Sequence, residues 1–170
     1  MKKVLLLLLS LATALAFLGC DQAATQGSEH AENDTSGIQS YVMINDTKVQ
    51  LGGVFDDALA SALGEPLDVQ EAVSCHYDGF DTIYYYEGFA IYTYLLKNDK
   101  IIYSIELDAA EIKTSEGAAV GMTLAEIEAI YGTEYDTLAN GISFALKEND
   151  AQLNFRIKKD AVFLIEYYME

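Results

Sequence analysis

Residues 81–107, "DTIYYYEGFAIYTYLLKNDKIIYSIEL", decide how this chain folds. The first fourteen positions hold five tyrosines and one phenylalanine, and the question is which side of a sheet they face. Alternation and turn residues divide the stretch into strands over 82–86, 89–96 and 100–107. Glu87-Gly88 reads as a two-residue hairpin turn with glycine where positive φ is favoured. That turn places Tyr86 opposite Phe89, Tyr84 opposite Ile91 and Tyr85 opposite Ala90. A second turn at Asn98-Asp99 places Tyr94 opposite Tyr103 and Tyr92 opposite Ile105. In the third strand Ile101, Tyr103, Ile105 and Leu107 form an apolar face, while Ser104 and Glu106 mark the wet one. The core face is then Ile83, Tyr85, Ala90, Tyr92 and Tyr94. The wet face is Thr82, Tyr84, Tyr86, Phe89, Ile91 and Thr93. A register slip of one residue exchanges the two.

On that register Tyr84, Tyr86, Phe89 and Ile91 form an exposed aromatic stripe beside Glu106, and these five are the candidate binding residues. Tyrosine and phenylalanine supply rigid contact area at low entropic cost, and contiguous exposed rings mark interaction surfaces. The competing reading is that the rings only support one another as cross-strand pairs.

Outward from this stretch the chain is self-similar. "GVFDDALASALG" (53–64) and "GMTLAEIEAIYG" (121–132) each run from glycine to glycine with helical spacing between. Thr123 and Glu126 form a Thr-x-x-Glu capping box, and Gly132 stands where a helix ends in a left-handed residue. Asp56 and Asp57 favour the start of the first helix. Strands are predicted over 142–146, 152–157 and 161–168 after the second helix. There Leu153, Phe155, Ile157, Phe163 and Ile165 face inward, and Gln152, Asn154, Arg156 and Glu166 outward. "IYSIEL" (102–107) can be laid over "VFLIEY" (162–167), and a hairpin, "YVMINDTKVQL", precedes both units.

A helix opening at "GMT", closing at Gly132 and leading into a meander resembles the repeat of the β-lactamase inhibitory protein fold. Small lipoproteins of outer-membrane assembly have a related unit. The context "SCHYDGFDTIYYY…IYSIELD…IKTSEGAAVGMT" is also similar to uncharacterised lipoproteins of Gram-positive gut bacteria. The resemblance covers roughly residues 41–168. It implies an α+β fold: two tandem helix-plus-three-strand repeats, about 41–108 and 109–170, with helices packed on one face of an antiparallel sheet. β-Lactamase inhibition is not implied, because the inhibitor's disulfides are absent and its contact loops find no counterpart here.

The first twenty residues read as a leader. Lys2 and Lys3 precede an apolar run from Val4 to Leu18, too short and wrongly flanked to span a bilayer. Gly19-Cys20 resembles a bacterial lipobox, with Phe17 in place of the usual leucine. Lipidation of Cys20 implies a membrane partner and a lipid-anchored, extracytoplasmic location, since two or three acyl chains anchor stably where one does not. Residues 21–39 hold one large aliphatic residue, Ile38, and read as a disordered tether of roughly 25 Å. The domain is expected from Ser40 to Glu170. Four of the 27 acidic residues fall in the tether, and Lys2 and Lys3 are two of the ten basic ones. The domain therefore carries 23 acids and 8 bases, a net charge of −15. Such a field excludes nucleic acid as a partner and favours cationic ones.

Little in the chain suggests catalysis, and neither an enzyme nor a cofactor is expected. There is no glycine-rich phosphate loop, and Cys75 and His76 are adjacent in an extended run, so they point apart and cannot form a dyad. A hard cation would suit Asp56-Asp57 or Asp78-Gly79-Phe80-Asp81, though neither spacing matches a known loop, and zinc lacks ligands. The function expected is a membrane-anchored, non-enzymatic module that binds a protein or a cell-envelope polymer through the aromatic face. The alternative is a structural or envelope-assembly lipoprotein that docks through its helices or N-terminal segment.

Overall fold

The computed structural model describes residues 37–74, 79–147 and 150–170. The leader, Cys20, the tether as far as residue 36, and Cys75, His76 and Asp78 lie outside the described residues. A short hairpin comes first, β1 (Tyr41–Ile44) and β2 (Thr47–Gln50), turned at Asn45 and Asp46 with φ of 48° and 61°. Positive φ at both turn positions matches the twist of the flanking strands. Then follow α1 (Asp57–Leu63) and the strands β3 (Asp68–Val73), β4 (Phe80–Tyr86), β5 (Phe89–Leu96) and β6 (Asp99–Leu107). After a long connection come α2 (Leu124–Tyr131), β7 (Asp136–Leu138), β8 (Gly141–Ala145), β9 (Gln152–Lys158) and β10 (Ala161–Tyr168). β3 to β10 form one eight-stranded sheet in the order β3-β4-β5-β6-β10-β9-β8-β7. Its centre is the antiparallel pairing of β6 with β10.

The expected α+β class is corrected. The protein is mostly antiparallel β, 49% strand and 12% helix, with ten strands in two sheets among the described residues. Each helix is followed by four strands, not three, because β3 and β7 join the sheet as its two edges. The helices have seven and eight residues and bury only Leu63, Ile127 and Tyr131. They are too small to cover a sheet of this width. Much of the cover comes from the β1–β2 hairpin and irregular chain instead, through Val42, Ile44, Val49, Leu51, Phe55 and Ala118. An arrangement of two helix-plus-three-strand units with helices layered on a sheet is therefore not what this chain builds.

Local signals at the helix ends act largely as their chemistry dictates. Asp56 caps α1, its Oδ1 accepting from Leu59 N at 2.8 Å. Thr123 and Glu126 make the reciprocal box at α2, with the Thr123 amide donating to Glu126 Oε2 at 2.8 Å. Those bonds hold the Glu126 carboxyl below its ordinary range. Gly132 has φ 83° but ψ −169°, so it closes the helix from an extended, glycine-only region and not as the left-handed residue expected.

One irregularity decides the faces. β5 and β6 turn at Lys97-Asn98, with Leu96 opposite Asp99, one residue earlier than expected. That shift alone would preserve the faces. Between Thr93↔Ile102 and Tyr92↔Ser104, however, β6 carries one extra residue, Tyr103, as a bulge. Beyond it Ile91 pairs with Ile105 and Phe89 with Leu107. Since Ile105 and Leu107 are fully buried, Ile91, Phe89, Tyr84 and Tyr86 go into the core with them. Ile83, Tyr85 and Tyr92, expected inside, stand half-buried on the opposite face. Ala90 and Tyr94 share that face but are largely covered. β10 has a bulge at the matching place: Val162 pairs with Ile157 and Leu164 with Arg156, leaving Phe163 between them. Phe163, expected inside, is 44% exposed, while Leu153, Phe155 and Ile165 are buried.

The second half of the core is a ring cluster. Tyr131 of α2 lies 5.2 Å from Phe144 and 5.4 Å from Phe155, and those two meet edge to face at 6.0 Å. The Tyr131 hydroxyl lies 2.6 Å from Thr114 Oγ1 and donates to Glu116 Oε2 at 3.1 Å. Thr114 Oγ1 in turn accepts from Ala118 N at 2.9 Å, so the connection before α2 is tied to the helix.

Candidate functional site

The stripe proposed from the sequence splits. Tyr84, Tyr86, Phe89 and Ile91 are brought together, but as core: all four are at least nine-tenths buried, so the expectation of an exposed aromatic stripe is overturned. Tyr84 lies against Phe55 with ring centroids 4.3 Å apart, and Tyr86 stacks on Phe89 at 4.5 Å. The Tyr84 hydroxyl is held by Lys100 Nζ. Tyr84 also lines two adjoining clefts beside α1, of about 440 and 330 Å³, with Tyr86 on the wall of the second. Glu106 alone of the five is on the other face, where its charge had placed it.

That other face carries the chemistry. Four strands contribute one continuous row: Ala90 of β5 is opposite Glu106 of β6, Glu106 opposite Glu166 of β10, and Glu166 opposite Asn154 of β9. In the neighbouring row Tyr92, Ser104 and Tyr168 are opposite one another in turn. Opposed residues in a sheet have Cβ atoms about 5 Å apart, so the two glutamates are close neighbours. Tyr103, pushed out by the bulge, lies 6.1 Å from both Tyr92 and Tyr94 and 6.4 Å from Tyr168, centroid to centroid.

The polar groups here are bound, but incompletely. Tyr92 Oη donates to Glu106 Oε2 at 2.8 Å. Asn154 Nδ2 donates to Glu166 Oε2 at 3.1 Å, and Arg156 Nη2 approaches the same oxygen at 3.3 Å. Arg156 Nη1 is occupied by Asn140 Oδ1 at 3.2 Å. Among the described residues, four buried side-chain atoms have no hydrogen-bond partner, and three of them, Asp81 Oδ1, Ser104 Oγ and Asn154 Oδ1, lie on this face. The fourth, the Tyr167 hydroxyl, is on the core side near Thr114. Buried polar atoms without partners are expensive, so three on one face are not incidental to its chemistry.

Burial acts on the acids in the same sense. It raises the Glu106 carboxyl above its ordinary value; Glu166 and Asp108 add to the rise, while the Tyr92 hydrogen bond and Arg156 oppose it. The Tyr92 hydroxyl is pushed well above the usual phenol range, first by burial and then by its bond to Glu106. Tyr103 is raised by burial and then by Asp81. At neutral pH these hydroxyls stay protonated and the face is rich in acceptors.

Asp56, whose oxygens would suit a hard cation, spends one of them capping α1. Among the described residues no group of three or more histidine, cysteine, aspartate or glutamate side chains is arranged to hold a metal ion. Sequence reasoning missed Tyr92, Tyr103, Tyr168, Ser104, Asn154 and Glu166 as a set. The signal for them was the pair Ser104 and Glu106, which marked the open face correctly even though the rings assigned to it were the wrong ones. No family model, no curated protein and no solved structure matches the chain. What this surface can do rests on its own chemistry.

Proposed function

We propose that this protein is a non-enzymatic, lipid-anchored extracytoplasmic binding module that engages a protein partner through the face built around Glu106, Glu166, Tyr92, Tyr103 and Tyr168. The observation that carries the reading is the concentration of half-buried tyrosines and partnerless polar atoms on one sheet face. Interface cores favour aromatic residues, and tyrosine gives apolar area together with a hydroxyl. Anchoring at Cys20 remains part of the proposal on the strength of the leader alone; no helix among the described residues is long and apolar enough to cross a membrane.

The test is capture of a partner from an envelope extract by the full chain and by its Tyr103→Ser/Tyr168→Ser variant. Loss of the partner with an unchanged melting temperature supports the reading, and undiminished capture overturns it. The envelope-assembly alternative, docking through the helices, is favoured by the paired clefts beside α1. Ser61→Arg, at an exposed residue on the wall of the second cleft, tests it: under this alternative capture falls with Ser61→Arg and survives the tyrosine changes.

A further inference from the structure

The geometry points to a binding site for the ammonium group of a lysine side chain, presented by a basic protein partner, between Glu106 and Glu166 with Ser104 and Asn154 at its base. This inference rests on the binding reading above and names the chemistry recognised.

The donors and acceptors do not balance. Four donors are already placed: Tyr92 Oη on Glu106, Asn154 Nδ2 and Arg156 Nη2 on Glu166, and Arg156 Nη1 on Asn140. The three bonds to the glutamates all use an Oε2 atom, which leaves Oε1 of each carboxylate outside these bonds. Asn154 Oδ1 has no partner, and its orientation is fixed because Nδ2 must face a carboxylate that can only accept. Ser104 Oγ, in the next row, has none either. These last two residues are 4% and 3% exposed, so neither atom is satisfied from bulk solvent. The amide and guanidinium donors of this face are thus spent, and its two carboxylates face one guanidinium.

The shape of the deficit selects the ligand. An ammonium group offers three donors from a single point, which suits oxygens contributed by different side chains. A guanidinium offers a planar fork that prefers both oxygens of one carboxylate, and here one oxygen of each glutamate is already taken. An anion would meet two carboxylates with only Arg156 to offset them, and that residue is bound on both sides. The surrounding Tyr92, Tyr103 and Tyr168 rings favour a cation that is part of an organic side chain, by cation–π attraction and apolar contact with its methylenes. A protein is the fitting source: the site lies on an open sheet face, not in a closed pocket, and a domain of net charge −15 draws basic surfaces to it.

The experiment titrates the full chain with a short uncharged peptide carrying one lysine, with its Nε-acetylated twin, with its arginine twin and with calcium chloride. Tyrosine fluorescence reports binding, since the chain contains no tryptophan. The lysine peptide should bind more tightly than the arginine twin and on the order of tenfold more tightly than the acetylated one, the loss expected for a charge-assisted contact. Glu106→Gln, at unchanged melting temperature or better, and Glu166→Gln, which also gives up the pair with Arg156, should each weaken the lysine peptide by a similar factor. Equal binding of the acetylated twin overturns the inference, as does stronger binding of the arginine twin. Calcium binding without peptide binding also overturns it. The wild-type arm stands even where a variant fails to fold. Should the acetylated twin bind equally while the tyrosine variant still loses its envelope partner, only the lysine assignment fails. Retention of the partner by the tyrosine variant removes the binding reading itself.

Discussion

The two halves of the large sheet, β3–β6 and β7–β10, share a backbone device and use it differently. Each has a one-residue bulge on its last strand, at Tyr103 and at Phe163. In the second half the residue that is pushed out is solvent-exposed, and the neighbouring outward positions hold Arg156, Asn154 and Glu166 in an ion-paired group. In the first half the residue pushed out is a tyrosine that lands among other tyrosines. The two halves meet where Glu106 lies opposite Glu166. A bulge does more than bend a strand: it sets which of two aromatic faces becomes core, and here it leaves one half's polar group against the other half's rings.

The comparison can be broken most forcefully inside the first half. Ile91→Ala removes a fully buried side chain from the core face and should cost about 2–5 kcal/mol, read as a shift in the denaturant midpoint. Tyr103→Ser, on the opposite face two strand positions from Ile105, should cost well under half as much. Were the two costs reversed, the assignment of faces would be wrong.

How far these faces could be read from the chain depends on what kind of signal each used. The strand at 89–96 and the one at 161–168 were plain from alternation and turn residues, and they are β5 and β10. Thr123 and Glu126 announced the start of α2 by a spacing that has one physical meaning. Glu106 was assigned to the open side because a carboxylate is costly to bury. The tyrosines carry no such marker, since a ring with a hydroxyl suits either face. The bulge was invisible because an inserted residue in a strand looks like any other, and a single insertion reverses every assignment beyond it. β3 was missed because "DVQEAV" is an edge strand with all six positions exposed, so no apolar period betrays it. β7 has only three residues.

Smaller effects sharpen the contrast in the second half. Tyr131→Phe keeps the rings against Phe144 and Phe155 but strands Thr114 and Glu116, and should cost about 1–2 kcal/mol in thermal or denaturant unfolding. Thr123→Ala removes the exposed capping box of α2 and should cost about 1 kcal/mol.

The smallest expected change has the opposite sign. Because the folded-state pKa of Glu106 is raised above its ordinary 4.5, its ionised form is the one that folding disfavours. Stability is helped by protonation and declines as pH rises from about 4.5 through the raised value. Glu106→Gln, whose carbonyl can still accept from Tyr92, should therefore slightly raise the melting temperature at pH 7. The gain should vanish below pH 4.5, where both side chains are neutral. Melting curves at pH 4 and pH 7 check both halves of that statement.

Hydroxyl-radical footprinting of the folded chain, read residue by residue in fragment spectra, tests the placement of the faces most directly. Tyr85, Tyr103 and Tyr168 should be labelled well ahead of Tyr84 and Tyr86, although Tyr84, Tyr85 and Tyr86 are consecutive in the chain. Labelling of Tyr84 and Tyr86 ahead of Tyr85 and Tyr103 would contradict it.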